Sequence, residues 1–586
     1  MEQTAQQAPQ PARAGGEFFC APSEPNHRRY EALRAFLLDG ASAAQVADRF
    51  GYSAATVASM VRDFRAGQRE FFATPRPGPK SSPAKDAARS RIIELRQEGR
   101  SAYEIATVLA QEHTPLNRTG VAEVLAEEGF PRLQPRPHAE RGLPRRAAPA
   151  RTRVIDFDTW PTVQETKLAG LLLAIPDLVA LDLPAIVAAA GYPGTSVIPA
   201  LSSVLSLLAL KLTAVRRVSH VDDLALDPAA ALFAGLTSLP KATALTTYSY
   251  RLDHSRQVAF LGALDKAAIA GGLADGEILN LDFHAIMHWG EDVALEKHYV
   301  PRRSQRTRSV LTFFAEDATS HTLLYANADL SKAEQNNEVL AFCDHWRTVT
   351  GRDPSLLVFD SKVTTQTEWA KLTERGIGFI TLRARNAKLT ATLAAQPAHA
   401  WTTLTVERAG GKTRRVQVID DPAVTLNSYA GTLRQLAVTG LGHDEPTILV
   451  TNGQGPIADA SAKKVIEHYA RRMNIEQRLA ESIRSFHLDA LSSAVPLNVD
   501  LDVVLSVLAH TVCQALRRRI PGYATATPDT LQRRFLSTGG TITTTDTEIV
   551  VRLNRRTYSP VLRQADLPTS TAVPWWGNRN LRFEYE

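Results

Sequence analysis

The sequence predicts a multidomain α/β protein, and three observations carry that prediction. At 586 residues the chain exceeds the length at which one hydrophobic core keeps growing, so it must divide into domains. Two segments near the N-terminus share the frame Gly-x-Ser-Ala-x-x-x-Ala, starting at Gly40 and again at Gly99, each set in helical periodicity. Near residue 278 the hydrophobic period drops from helical to two, and strands then alternate with helices.

Composition narrows the class. An apolar fraction of 44% and a charged fraction of 22% are those of a soluble globular protein. The net charge of +6 and pI of about 9.1 suit a polyanionic partner without demanding one. Cys20, Cys343 and Cys513 lie far apart with no metal-ligand spacing, so neither a disulfide framework nor a zinc site is expected, and a reducing cytoplasm is. The opening "MEQTAQQAPQPARAGGEF" lacks a signal-peptide pattern and reads as a disordered tail over residues 1–26. The uncharged stretch from Leu183 to Leu210 is broken by Pro184, "GYPG" and Pro199. It reads as buried helices rather than a membrane span, and no membrane partner is expected.

Each repeated frame follows one helical segment and precedes another, giving two three-helix units over 27–67 and 87–130. Small Ala47 and Ala106 let helices cross closely. Gly51 makes a turn, and Ser53 caps a last helix with Val57, Met60, Val61 and Phe64 facing inward. This is the helix-turn-helix pattern, which a protein interaction bundle would share. The segments between and after the units, linkers over 68–86 and 131–155, are rich in Pro and Arg, as suits extended chain along phosphates. Two small reading heads on a basic tether resemble the bipartite arrangement at the front of many transposases. Ser53, Thr56 and Arg118 are the candidate DNA contacts here.

From 156 to 270 the pattern is helical and apolar. "EILNLDFHAIMHW" then alternates, with Leu279, Leu281 and Phe283 on one side and Asn280, Asp282 and His284 on the other, as in a half-covered strand. "RTRSVLTFFAED" and "SHTLLYANADL" follow as hairpin partners. A helix, the apolar strand "SLLVFD", a second helix and the strand "GFITLRARN" come next. Three strands, helix, strand, helix, strand is the ribonuclease H-like order, expected over 271–386 and 456–520 around a β-rich insertion at 387–455. "VDLDVVLSVLAHTVCQALRRR" reads as a buried helix, and 521–586 as a small β-rich C-terminal module.

Asp282 lies within the first of these strands. Asp360 ends the apolar fourth, at the carboxyl edge where open α/β sheets place functional groups. Singly, Asp282 suits a hydrogen-bonded strand residue and Asp360 a helix cap. Jointly, in this fold order the two strands are neighbours, and a later helix can add Glu476. Three carboxylates can hold two Mg²⁺ ions, with Mn²⁺ as a substitute; such ions prefer oxygen ligands and keep positions open for phosphate and water. A metal pair of this kind serves the cutting and joining of phosphodiesters.

"YARRMNIEQRLAESIRSFHL" carries Tyr469, Arg472 and Glu476 at steps of three and four on one helix face. Tyr-x2-Arg-x3-Glu resembles the third catalytic motif of the DDE transposases of the insertion-sequence-four group. "VFDSKVTTQTEWAKLTERGIGFITLRARN" resembles their second motif and "LNLDFHAIM" their first. The resemblance covers roughly residues 270 to 520. It implies Asp282, Asp360 and Glu476 as catalytic metal ligands, with Tyr469 and Arg472 on DNA near the cleaved end. The family's Lys, seven residues after the Glu, is Ile483 here. Arg484, one step on, is the candidate for that phosphate contact although it points about 100° away. The first motif also lacks the family's Asp-Asp/Gly-Thr form.

Glu467, Glu481 and Asp344 are competing acids outside the Tyr and Arg frame. "GGKT" at 410–413 lacks the earlier Gly of a phosphate loop and reads as a turn, and a metal site on His284 and His288 would need the strand to turn helical. What the resemblance implies is a DNA transposase that binds terminal inverted repeats and target DNA as duplex. It would act as a homodimer in a synaptic complex, at the nucleoid in a bacterial cytoplasm. The alternative is a transposase-derived DNA-binding regulator with an inactive catalytic domain.

Overall fold

Capping chemistry decides where the N-terminal helices begin. The structure is a computed structural model that describes residues 17–20, 22, 24–67, 83–131, 133, 151–287, 295–300, 305–407, 413–441, 445–488 and 496–585. The first sixteen residues, most of both linkers, His288 and most of the "GGKT" turn lie outside them. The chain forms two units, Met1–Pro144 and Arg145–Glu586.

In the first unit, α1 (Pro25–Leu37), α2 (Ala43–Phe50) and α3 (Ala54–Arg65) enclose Leu33, Val46, Phe50, Val57 and Val61. Ser42 opens α2 with a reciprocal cap: its Oγ accepts from Gln45 N while Gln45 Oε1 accepts from Ser42 N. Gly51, at φ 70°, closes that helix in the left-handed region. Ser53 Oγ accepts from Thr56 N at 3.1 Å and starts α3. Phe64, expected on the buried side, is 42% exposed, because the core ends at Val61 and Phe64 falls in the last turn. The pattern repeats in α4 (Pro83–Gln97), α5 (Ala102–Gln111) and α6 (Arg118–Glu127) around Ile92, Ile105, Leu109 and Val121, with Ser101 and Glu104 as the reciprocal cap.

The second unit is a mixed α/β assembly. It starts with strand β1 (Val163–Thr166) and an apolar helical layer that includes α7 (Ala200–Leu212) and α8 (His254–Ala270). Then come β2 (Ile278–Met287), β3 (Lys297–Val300), β4 (Gln305–Asp317), β5 (Leu323–Asn327), helix α9 (Glu338–Thr350), β6 (Leu356–Phe359), helix α10 (Gln366–Glu374) and β7 (Gly378–Leu382). Strands β2, β6 and β7 run parallel, β4 pairs antiparallel with β2, and β5 with β4.

The segment expected as an insertion is built into this sheet. After a short helix, Ala387–Ala394, strands β8 (Thr402–Glu407), β9 (Thr413–Leu426), β10 (Tyr429–Thr439) and β11 (Thr447–Thr451) extend it, with β11 antiparallel to β7 through Leu449↔Leu382. Helix α11 (Ala462–Phe486) and the buried helix α12 (Pro496–Arg519) follow. By length and composition Asn498–Arg519 would suffice to cross a bilayer; here it lies mostly inside the protein.

Strands β12 (Gly540–Thr544), β13 (Glu548–Leu553), β14 (Thr571–Val573) and β15 (Arg579–Tyr585) form a second sheet. It takes its edge strand from β1, and its Ile542, Val551 and Leu581 belong to the main core. Gly170 makes this junction possible. A Cβ there would stand 2.0 Å from the Phe535 carbonyl oxygen, so only glycine admits the approach.

Side-chain parity assigns the two faces of the large sheet. On β6, Leu357 and Phe359 join the main core, whereas Leu356 and Val358 join a second core with Val465 and Ile466 of α11. Both faces are therefore covered. Asn280, expected on an open polar side, is fully buried and donates from Nδ2 to Glu316 Oε2 at 3.0 Å.

Candidate active site

The parallel ladder between β2 and β6 ends at Leu281↔Phe359. The next residues along the two strands are Asp282 and Asp360. Both share parity with Asn280 and Val358, so both belong to the face that α11 covers. Asp360 does not cap a helix, since α10 takes Thr365 as its N-cap. Its Oδ1 accepts instead from the Ser361 backbone N–H at 2.6 Å.

Helix α11 starts at Ser461, whose side chain accepts from Lys464 N, and Val465, Ile466, Ile475 and Leu479 anchor it. That anchoring buries Arg472, which is 5% exposed. Its Nη2 donates to Glu476 Oε1 at 2.9 Å, and its Nη1 lies 3.4 Å from Asp282 Oδ2, within ion-pair reach. The guanidinium sits 5.6 Å from the ring centre of Tyr469. Arg472 Nε and Nη1 remain buried donors with no hydrogen-bond acceptor among the described residues.

Asp282, Asp360 and Glu476 line one cavity of about 1070 Å³. Desolvation pushes the Asp282 carboxyl up from 3.8 to about 6, outweighing the pull of Arg472; Glu476 and Asp360 add to the rise. Burial likewise raises the Tyr469 phenol. Among the described residues, no three or more His, Cys, Asp or Glu side chains stand close enough to hold a metal ion. The guanidinium of Arg472 instead supplies positive charge to both Asp282 and Glu476. The donor set still suits a hard cation in its chemistry: three carboxylates, one within β2, one at the end of β6 and one on α11, with no sulfur.

The other expected residues fall in different places. Arg484 is exposed, with Nε donating to the Ala480 carbonyl, while Ile483 takes the cavity side, as the rotation of one helical step requires. Of the competing acids, Glu481 is buried against Arg478 at 2.5 Å, Asp344 pairs with Arg375 at 2.7 Å, and Glu467 accepts from the Glu407 N–H. Ser53, Thr56 and Arg118 belong to the N-terminal unit. Ser53 Oγ and Thr56 Oγ1 lie 2.8 Å apart in a mutual hydrogen bond, and Arg118 is exposed at the first position of α6. Sequence reasoning missed the cations of the cavity, Lys332 and Lys362 among them. Isolated exposed lysines carry no periodic signal.

A comparison with curated proteins finds no match. Residues 311–566 match the family model described as Transposase DDE domain group 1, a span that holds Asp360, Tyr469, Arg472 and Glu476 and begins after Asp282.

Proposed function

We propose that this protein is a DNA transposase of the insertion-sequence-four type, with a ribonuclease H-like core that cleaves and joins DNA at terminal inverted repeats. The observation that carries the reading is the lining of one cavity by Asp282, Asp360 and Glu476, brought from the middle of β2, the end of the adjacent β6 and a distant helix. The strand order with β2 central, β4 and β5 on one side and β6 and β7 on the other supports the core assignment. The family match over 311–566 supports transposition as the activity.

In this reading Asp282, Asp360 and Glu476 would hold two Mg²⁺ or Mn²⁺ ions, and such a pair would supply activation of a hydroxyl and stabilisation of the leaving oxygen. Arg472 has a separate task. Its two unsatisfied buried donors suit phosphate oxygens, and Tyr469 holds the guanidinium plane in place. Ile483 and Leu479 keep part of the cavity apolar and so limit water. The N-terminal three-helix units, with Ser53, Thr56 and Arg118 at their last helices, bind the terminal repeats as duplex, and two copies pair the ends.

The test is cleavage of end-containing DNA by the purified chain with Mg²⁺ or Mn²⁺. Nicking is expected, and Asp360→Ala or Glu476→Ala should abolish it while leaving the thermal transition in place. Undiminished nicking by both variants would overturn the assignment. End binding without any nicking by the unaltered chain would favour the regulator instead.

A further inference from the structure

The cavity that holds the acids also holds an unneutralised group of cations. Lys297 on β3, Arg306 on β4, Lys332 in the loop after β5 and Lys362 two residues past Asp360 all contribute to its lining. All four side chains are exposed, and none makes an ion pair or hydrogen bond with another described residue. Elsewhere on the surface some cations are paired with described residues and others, Lys266 and Lys388 among them, are not. Arg91 is paired with Glu112, Arg375 with Asp353 and Asp344, and Arg434 with Asp420.

The nearby carboxylates have partners other than these four side chains, with Glu296 also 3.4 Å from His298 Nε2 and Glu334 accepting from Ser331 Oγ. Glu296 Oε2 accepts from Lys332 N and Glu334 Oε2 from Ser331 N, each at 3.0 Å. On the α11 side the lining is Leu479, Ala480 and Ile483, which offer no charge beyond Glu476. The four cations thus outnumber the three acids of the same lining, and they come from four separate segments of chain. A small anion would meet one or two of them. An extended chain of phosphates can meet all four, and each contact would release a condensed counterion.

We propose that Lys297, Arg306, Lys332 and Lys362 grip successive phosphates of the DNA strand entering the cavity and so set which phosphodiester reaches Asp282, Asp360 and Glu476. The proposal rests on the transposase reading above. It makes these four positioning residues: they offset the repulsion between phosphates and acids, and they hold the strand in register.

The test uses the full-length chain in chelator, with labelled single-stranded and duplex oligonucleotides, and reads the dissociation constant across roughly 50 to 200 mM salt. The fourfold variant Lys297→Gln, Arg306→Gln, Lys332→Gln, Lys362→Gln should flatten the plot of log affinity against log salt. The expected change in slope is up to about 3.6 on duplex or about 2.8 on single strand, from about 0.9 or 0.7 per phosphate contact. The probe whose slope change comes nearer its own maximum identifies the form of DNA held. Swapping Lys for Arg and Arg for Lys at the same positions should restore the slope, which a purely structural role would not produce. An unchanged slope on both probes overturns the grip, even if the wild-type chain nicks DNA with Mg²⁺. A chain that never nicks but loses slope in the fourfold variant retains the grip and loses the transposase reading.

Discussion

Replacing Asp282 by Asn should stabilise the metal-free protein while ending its cleavage of DNA. The Asp282 carboxyl is pushed from 3.8 to about 6, chiefly by desolvation. At about 1.36 kcal/mol per pH unit, ionising it in the folded chain costs about 3 kcal/mol at neutral pH. Asn removes that cost and keeps an Oδ1 to accept from the Phe283 N–H, as Asp282 does at 3.0 Å. The rise is already net of the pull of Arg472, which keeps Glu476 as its remaining ion-pair partner in the variant, so the gain should be about 3 kcal/mol.

The sign of the pH dependence is fixed. Between 3.8 and about 6 the folded carboxyl binds more protons than the unfolded one, so its contribution to stability falls as pH rises through that window and is constant above it. The stability gap between variant and wild type should be near zero below that window and complete above it. His510, which burial pushes down to about 3, works oppositely: it costs stability as pH falls below its ordinary 6.5. It does so in both proteins and cancels in the difference. Urea unfolding of both chains in chelator, from acid to pH 8, reads the gap. A gap that does not vary with pH, or an Asn variant less stable at neutral pH, would refute the reasoning.

Further predictions concern single elements. Leu357→Ala, at a fully buried position in the centre of the sheet, should cost about 2–5 kcal/mol in urea unfolding. Ser53→Ala removes the cap of α3 and should cost the N-terminal unit about 0.5–2 kcal/mol, seen by circular dichroism, with the transition of the second unit unmoved. Arg472→Gln withdraws the cation that opposes the rise of Asp282. Because metal ligands must be deprotonated, the pH midpoint of Mn²⁺ binding, followed by electron paramagnetic resonance, should then move upward.

The parts of this fold legible in the sequence are those set by local pattern. The apolar run ending in Asp360 could only be a buried strand with its acid at the carboxyl edge, and the repeated Ser-capped frames announced both sets of three helices. What stayed hidden depends on contacts distant in sequence. Alternation around Asn280 suggested one open face, but a second core closes it from α11. The pairing Leu449↔Leu382 merges the expected insertion with the central sheet, and Val163–Thr166 supplies an edge to strands more than 370 residues later. No local signal marks either event. The Tyr469, Arg472 and Glu476 frame was legible because helical spacing alone puts the three on one face. The convergence of Lys297, Arg306, Lys332 and Lys362 was not, since each is a lone surface cation until the chain folds.

The most direct measurement is anomalous diffraction from crystals of the full-length chain soaked in Mn²⁺. The account predicts anomalous density in the cavity, in contact with the carboxylates of Asp282 and Asp360, lost in crystals of Asp360→Ala. Manganese bound elsewhere with that cavity empty would contradict it.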